Sequence, residues 1–295
     1  MKVIVFGYGG QLGTDIVRCI EGKANYKIFA FRHQDLDIND FEKVKEVILS
    51  IKPDIVFNCS AWNKVDDAEF PENSNLVFRT NAFAPSNMAR VSSRIKSIFV
   101  NISTDYVFDG RKMMPYEETD DVNPLSVYAL SKLLGELLVK KHSERYIIVR
   151  SGGLYGISGS FVSQRTYRNF VERVIENVSA GKKMKIVNDV FSAPTYTFDL
   201  ARKICEIVED GFLGIIHIMQ NGVISWFDFS IQICKMMRFD ESYIEPVTYD
   251  QLNPIAKRPK FSVLKNSILD KLGKNDLMDI QEALEKYLKE RSRYI

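Results

Sequence analysis

Short apolar segments alternate with amphipathic segments along the first half of the chain. The apolar segments are KVIVF, KIFAF, DIVFN, SIFVNIS and YIIVR, and continuous apolar runs of this length are typical of strands buried on both faces. Between them lie segments with apolar residues at helical spacing, of which DFEKVKEVILSI is the clearest. Parallel strands need such helices as crossovers. The pattern therefore predicts an α/β fold of the Rossmann type, with a doubly wound parallel sheet.

The alternation loosens after residue 151, where we expect a second, smaller lobe. Residues 1–151 are predicted to form the NAD(P)-binding domain, and residues 193–218 to return to it, because PTYTFDLARKICEIVE again combines strand and helix signals. Residues 152–295 are predicted to form mainly a substrate-binding lobe, with a helix from about residue 167 to 179. The C-terminal segment DIQEALEKYLKERSRYI is amphipathic, which favours packing on its own domain; a homodimer interface is the alternative.

Charge and cysteine content argue against several classes of function. Forty basic and 38 acidic side chains give a net charge of +2, without a long run of one sign, so neither a nucleic acid nor a membrane is an expected partner. The four cysteines are far apart and the three histidines do not cluster, which predicts reduced thiols, a cytoplasmic protein and no catalytic metal. The apolar run at the N-terminus is too short for a signal sequence or a membrane span.

The segment FGYGGQLGTD joins the first predicted strand to the first predicted helix. Its glycines Gly7, Gly10 and Gly13 have the spacing GxxGxxG, and Gly9 loosens the turn further. Glycines at this position let backbone amides approach a pyrophosphate, so the turn predicts a dinucleotide site. Leu12 stands where the last glycine of GxGxxG would be, and the spacing instead resembles the variant found in short-chain dehydrogenases.

The end of the second predicted strand bears on the choice of cofactor. In dinucleotide-binding folds, an acidic residue about 20 residues after the turn accepts hydrogen bonds from the ribose of NAD. Arg32 and His33 occupy that place, and a guanidinium can pair with the 2′-phosphate of NADP. We therefore expect NADPH, with NADH as the alternative because Asp35 is close by. An exposed Arg32 without a ligand is the structural alternative.

The segment SVYALSKLLGE places Tyr128 and Lys132 four residues apart, on one face of a predicted helix. The two side chains can then reach one small molecule, and we expect the ammonium to lower the pKa of the phenol by stabilising the phenolate. This arrangement suits proton transfer to a carbonyl oxygen; a surface lysine beside a half-buried tyrosine is the alternative. Pro124 is expected to begin the helix, and leucines away from Tyr128 are expected in the core: Leu130, Leu133 or Leu134, and Leu137.

Ten segments in order resemble those of one family: GYGGQLG, LDIND, PDIVFNCSAWNKVDDAE, NAFAPSNMA, STDYVFDG, PYEETD, YALSKLLGE, LYG, APTYTFDLA and RPKFSVL. They resemble dTDP-4-dehydrorhamnose reductases, which are extended short-chain dehydrogenases/reductases of the RmlD type, from residue 1 to about residue 265. The resemblance implies a Rossmann fold, a nicotinamide cofactor and a nucleotide-sugar substrate. It also implies a role in dTDP-rhamnose and cell-surface polysaccharide biosynthesis.

The resemblance further implies roles for individual residues. The cofactor site is expected to contain Gly10, Gln11 and Leu12 at the pyrophosphate and Asp37 and Ile38 at the adenine. Ser60, Ala61 and Trp62, in the loop after DIVFN, would lie beside the cofactor, as would Tyr128 and Lys132. Gly7, Gly13 and Arg32 complete the expected site, on the arguments given above. Thr104, Tyr128 and Lys132 would be the catalytic residues. Thr104 would hydrogen-bond the carbonyl oxygen as negative charge develops there. Thr104, Asp105 and position 153 would face the sugar.

The departures from the family pattern fall mainly in the substrate half. Gly153 stands where the family has a tryptophan against the sugar nucleotide, so we expect a large apolar wall to be absent. In DVFSAPT, Val190 and Ser192 replace a glutamine and a glycine, although Phe191 adds bulk. In RPKFSVLKNS, Lys265 replaces the aspartate of the usual LD pair. The sequence therefore supports the cofactor and proton-transfer chemistry better than it defines the sugar.

These observations predict an NADPH-dependent reductase of a nucleotide-linked 4-keto-6-deoxy sugar, with hydride transfer to C4 and Tyr128 as proton donor. A sugar-nucleotide epimerase or dehydratase of the same superfamily is one alternative, although Tyr106 stands where 4,6-dehydratases place a glutamate. A non-catalytic NADP-binding subunit that resembles the regulatory β-subunit of methionine adenosyltransferase is the other. Net consumption of NADPH would distinguish a reductase from the epimerase or dehydratase, and copurification of a catalytic partner would indicate the regulatory subunit.

Overall fold

The computed structural model describes residues 1–157 and 168–294. Within these ranges the strands are β1 (Lys2–Phe6), β2 (Lys27–Phe31), β3 (Ile55–Asn58), β4 (Ile98–Thr104), β5 (Tyr146–Ser151), β6 (Met184–Val187), β7 (Phe191–Ser192), β8 (Gly214–His217), β9 (Ile224–Ser225) and β10 (Ile244–Val247). The α-helices are α1 (Gln11–Ile20), α2 (Phe41–Ile51), α3 (Pro71–Phe78), α4 (Ala84–Arg94), α5 (Val127–His142), α6 (Phe170–Ser179), α7 (Thr197–Glu209), α8 (Trp226–Met237), α9 (Tyr249–Leu252), α10 (Ser267–Lys271) and α11 (Ile280–Arg291).

The main sheet has six parallel strands in the order β2-β1-β3-β4-β5-β8. Both faces of the sheet are covered because successive side chains of a strand point to opposite sides. Val3 and Val5 pack with α1 and α7 on one face, whereas Ile4 and Phe6 pack with α2 and α4 on the other. The predicted doubly wound α/β fold is confirmed. The strand order reverses between β1 and β3, and ligands of such sheets bind at the carboxyl ends of the strands beside that point.

A second hydrophobic core lies under the remaining small sheets. β6 pairs with β10 in parallel, β7 pairs with β9 in antiparallel, and α6, α8 and α11 pack nearby. The core is rich in aromatic rings: Tyr155, Tyr196, Phe229 and Tyr287. α6 begins at Phe170, and the predicted start of this helix near Tyr167 lies outside the described residues. α7 and β8 return to the main sheet, with α7 against α1 and β8 beside β5.

The helix that carries Tyr128 and Lys132 faces the sheet with a different side than the leucine pattern predicts. Leu130 and Leu137 are 48% and 53% exposed, so their expected place in the core was wrong. The buried face instead includes Ala129, Lys132, Gly135, Glu136 and Val139. Gly135 permits this orientation because a Cβ there would lie 2.3 Å from the backbone oxygen of Asn81. Ser126, rather than Pro124, caps the helix by accepting a hydrogen bond from the Ala129 amide at 3.2 Å.

The described ranges contain neither a membrane-spanning helix nor a metal-binding cluster. In the part of the chain that the structure describes, no helix combines the length and apolar character needed to cross a bilayer. The same residues contain no group of three or more histidine, cysteine, aspartate or glutamate side chains arranged to hold a metal ion.

Candidate active site

The glycine turn lies at the reversal point of the sheet, between the carboxyl ends of β1 and β3. Gly7 has φ +84°, and a Cβ there would lie 2.7 Å from the backbone of Cys59 and of Ser60. A Cβ on Gly13 would lie 2.5 Å from the Gly7 oxygen, so only glycines let α1 begin this close to β1. Gly10 precedes α1 without a side-chain cap, which leaves the first amides of the helix available to an anion.

Two predicted cofactor residues have their side chains in the core, and two others point elsewhere. Leu12 and Ile38 are 6% and 5% exposed, so they can offer a ligand little more than backbone groups. The Gln11 side chain accepts a hydrogen bond from Asn169 of the second lobe at 3.2 Å. Asp37 is exposed, and its carboxylate accepts the Asn39 amide at 2.9 Å. The N-terminus of α1 and the exposed residues around it are therefore the groups that the structure leaves open to a dinucleotide.

Arg32 lies directly beside this turn. Its guanidinium carbon is 5.5 Å from the centre of the Tyr8 ring, and its Cγ is 3.6 Å from the position of a Cβ on Gly9. The Asp35 carboxylate accepts the Arg32 backbone amide at 2.9 Å. One oxygen of Asp35 therefore fixes the backbone of the loop that follows β2. The arrangement places a cation next to the dinucleotide turn, which suits a 2′-phosphate.

Replacing Arg32 with alanine is expected to weaken NADPH binding about tenfold to a hundredfold, because a hydrogen bond to a charged group contributes about 1.5–3 kcal/mol. NADH binding should change much less, since NADH lacks the 2′-phosphate. Fluorescence titration of both cofactors measures the two dissociation constants. Arg94→Ala, at the far end of α4, is the matched control. Equal losses for NADPH and NADH would rule out 2′-phosphate recognition by Arg32.

The loop after β3 is fastened to the helix that carries Tyr128 and Lys132. Asn81 accepts the Trp62 amide at 2.8 Å, and its amide group donates to the Trp62 oxygen at 3.0 Å and to Ser131 Oγ at 2.9 Å. Asn81 lies in a π-helical segment, Arg79–Phe83, between α3 and α4. Such segments often mark functional sites. Sequence reasoning missed Asn81, because its hydrogen-bond partners are distant in the chain and no local sequence pattern predicts them.

Thr104 and Tyr128 meet where β4 ends and α5 begins. The Thr104 hydroxyl is within hydrogen-bonding reach of the Tyr128 phenol, donates to Asp105 Oδ1 at 3.1 Å and accepts the Tyr106 amide at 3.2 Å. The Tyr106 ring packs edge-on against Tyr128, with centroids 6.3 Å apart. Burial raises the pKa of Tyr128 to about 12. The phenol therefore keeps its proton at neutral pH and can donate it.

Lys132 is buried one turn further along α5. Its ammonium donates to the Ile102 oxygen at 2.6 Å, and burial lowers its pKa to about 8, against the opposing effects of Glu136 and Cys59. The expectation that Lys132 lowers the pKa of Tyr128 was wrong for this arrangement. Burial raises that pKa, and Lys132 is not among the groups that shift it. The reason is geometric, since the ammonium is directed at a strand carbonyl.

Asp105 presents an unsatisfied acceptor beside Thr104. Its side chain is 2% exposed, and Oδ2 has no hydrogen-bond partner among the described residues. Burial raises the pKa of this carboxyl to about 6. Gly152 stands directly behind it, because a Cβ there would lie 2.3 Å from Asp105 Cγ. The carboxylate is therefore held in place, with Oδ1 on the Thr104 hydroxyl and Oδ2 enclosed beside Gly152.

Comparison with known proteins gives one consistent family. The chain matches the family model described as "RmlD substrate binding domain" over residues 1–293. The chain belongs to the RmlD family. It is 33% identical to the spore coat polysaccharide biosynthesis protein SpsK of Bacillus subtilis over 291 residues, which cover 99% of this chain and 98% of that protein.

Two solved structures of RmlD relatives share the fold of this RmlD-family chain over nearly its full length. The dTDP-4-dehydrorhamnose reductase of Clostridium acetobutylicum has a TM-score of 0.92 and 35% identity, and the match covers 99% of this chain and 100% of that one. The dTDP-4-dehydrorhamnose reductase of Bacillus anthracis, solved in complex with NADP, has a TM-score of 0.90 and 31% identity, with coverage of 98% and 99%.

The RmlD-family chain also has a buried ion pair under the Tyr128 helix that sequence reasoning missed. Arg150 donates to Glu136 through Nε at 3.0 Å and through Nη2 at 2.7 Å, and Ser103 donates to the same carboxylate. Glu136 follows Lys132 by one helical turn, and that same-face spacing was the only signal in the sequence. The pair anchors α5 to β4 and β5 beneath Tyr128 and Lys132.

Proposed function

We propose that this protein is an NADPH-dependent reductase of a nucleotide-linked 4-keto-6-deoxy sugar, similar in activity to the dTDP-4-dehydrorhamnose reductases it resembles. The observation that carries the proposal is the Tyr128 phenol, which burial keeps protonated and which lies within reach of Thr104 at the carboxyl end of β4. A protonated phenol beside a hydroxyl is suited to receive a carbonyl oxygen. The glycine turn two strands away supplies the expected place for the cofactor.

In this proposal the ketone oxygen lies between Tyr128 and Thr104. Bound NADPH would supply a hydride to the C4 carbon. As the new C–H bond forms and the carbonyl π bond breaks, Tyr128 gives its proton to the oxygen, and Thr104 stabilises the developing negative charge. Asp105 holds the Thr104 hydroxyl through Oδ1 and lies beside the sugar in this proposal. Lys132 holds a positive charge in the same buried space, and the phenolate regains its proton from solvent.

The residues around Tyr128 also favour reduction over elimination. Tyr106 stands where the resemblance places the glutamate of 4,6-dehydratases, and its ring packs against Tyr128. A phenol is already protonated at neutral pH, and burial raises the pKa of Tyr106 further, so this side chain cannot act as a base there. The Asp105 carboxylate also raises the pKa of Tyr128. Gly152 packs on that carboxyl group and fixes the position of Asp105.

The test is NADPH oxidation, followed at 340 nm, with freshly generated dTDP-4-keto-6-deoxy sugars, including dTDP-4-dehydrorhamnose. We expect one NADPH to be consumed for each sugar reduced. An epimerase or dehydratase would convert the sugar without net consumption of NADPH. Tight NADPH binding without any conversion would instead favour the regulatory alternative, and a catalytic partner should then copurify.

A cytoplasmic location is a further expectation of this proposal, because NADPH and nucleotide sugars are made there. The oligomeric state is independent of the proposal. The sequence favours packing of the C-terminal helix on its own domain, with a homodimer interface as the alternative, and size-exclusion chromatography with light scattering would decide between them.

A further inference from the structure

The backbone at Gly153 is shaped around an aromatic ring from a distant part of the chain. Gly153 has φ +60°, and a Cβ there would lie 3.0 Å from Pro194 Cα and 3.3 Å from Cη2 of Trp226. The Gly153 oxygen accepts the Thr195 amide at 3.2 Å, which holds the segment against that ring. A side chain at position 153 would therefore be strained and would meet the indole. The space next to the Gly153 backbone is occupied by Trp226.

This contact is close to the catalytic residues. Ser151 pairs with Thr104 in the register of β4 and β5, Gly152 packs on the Asp105 carboxyl, and Gly153 follows. Two residues span at most about 7 Å, so Gly153 lies within about the width of a hexose ring of Ser151, the residue paired with Thr104. The Trp226 ring packs directly on this Gly153 backbone.

Trp226 is held firmly but is not fully buried. It is the first residue of α8, and its backbone amide donates to the Val190 oxygen at 3.2 Å. Its ring centroid is 4.6 Å from that of Phe170 and 6.3 Å from that of Phe229. The side chain remains partly exposed. A fixed, partly exposed indole offers an apolar face with one hydrogen-bond donor, which suits the C–H face and the methyl group of a 6-deoxy sugar.

We propose that Trp226 forms the apolar wall of the sugar site and is a specificity-determining residue for the 6-deoxyhexose ring. This inference rests on the proposed function. In this proposal α8 supplies from a distant position the large ring that the sequence does not place at Gly153. The indole, rather than a side chain at position 153, then selects the sugar.

Tryptophan fluorescence tests the contact without turnover. The chain has two tryptophans, Trp62 and Trp226, so Trp62→Phe leaves Trp226 as a single reporter. Without cofactor, dTDP-rhamnose is expected to shift and quench the Trp226 emission, whereas dTDP alone should change it much less. Isothermal titration calorimetry establishes binding independently. If dTDP-rhamnose binds while the emission stays the same as with dTDP, the inference is overturned.

Steady-state kinetics separates this inference from the proposed function. Trp226→Ala should raise the KM for the 4-keto-6-deoxy sugar about tenfold, while the NADPH dissociation constant is unchanged and Trp226→Phe restores part of the loss. If wild-type protein turns over the sugar and neither variant changes its KM, the inference fails and the function stands. If wild-type protein neither binds dTDP-rhamnose nor reduces any ketosugar, both fail. Should Trp226→Ala not fold, the KM of the folded Trp226→Phe variant decides, and an unchanged value overturns the inference.

Discussion

Replacing Tyr128 with phenylalanine is expected to lower kcat by about a hundredfold to ten-thousandfold, the range typical of losing a general acid. The ring and its packing against Tyr106 remain, so the change removes only the phenol hydroxyl with its proton. NADPH binding and thermal stability should stay close to those of the wild type. The measurement is kcat for NADPH oxidation with a dTDP-4-keto-6-deoxy sugar, together with a fluorescence titration of NADPH.

The matched control for this change is Tyr146→Phe. Tyr146 begins β5 at the opposite end of the strand from Ser151, so loss of its hydroxyl should leave kcat within about twofold of the wild-type value. A Tyr128→Phe variant that turned over as fast as the control would show that another group supplies the proton. In that case Thr104, whose hydroxyl lies next to the phenol, would be the residue to change next.

Replacing Arg150 with methionine should destabilise the protein by about 3–5 kcal/mol, the usual cost of leaving one charge of a buried ion pair without its partner. Arg150 and Glu136 are 3% and 1% exposed, so water cannot take the place of the guanidinium. Methionine preserves much of the side-chain volume above the Phe108 ring, which lies 5.3 Å from the guanidinium carbon. Urea denaturation followed by circular dichroism measures the loss.

Two further variants test whether the unpaired buried charge causes that loss of stability. The double variant Arg150→Met, Glu136→Gln should regain a large part of the stability, because the uncompensated carboxylate is gone. Lys45→Met, which breaks an exposed pair with Glu42 at 2.7 Å, should cost no more than about 1 kcal/mol. If Arg150→Met cost as little as Lys45→Met, the pair would not be the anchor of α5 that the structure indicates.

Local sequence patterns were sufficient for the sheet and for the two conspicuous motifs. Parallel strands are recognised by continuous apolar runs, since both faces of each strand are buried. The glycine turn is recognisable because only glycine tolerates the contact between Gly7 and Gly13. The spacing of Tyr128 and Lys132 follows from the helical period alone. Each of these features depends on residues that are neighbours in the chain.

Periodicity could not determine which side of α5 faces the sheet. Its leucines suggested one face, yet Leu130 and Leu137 are exposed and the side that carries Lys132 and Glu136 is buried. A buried lysine and glutamate become acceptable when Ile102, Ser103 and Arg150 supply hydrogen bonds. Those partners come from β4 and β5. The same argument explains why the expected effect of Lys132 on Tyr128 was wrong, because the direction of its ammonium is set by a strand carbonyl.

The sequence by itself determined the fold class, the place of the glycine turn and the helix that carries Tyr128 and Lys132. Tertiary structure alone decided the partners of these groups: Thr104 beside Tyr128, Asn81 between Trp62 and Ser131, and Trp226 against Gly153. The physical reason is the range of the interactions. Backbone conformation and helical period act over a few residues, whereas hydrogen bonds and ring contacts join atoms that only the folded chain brings within a few ångströms of one another.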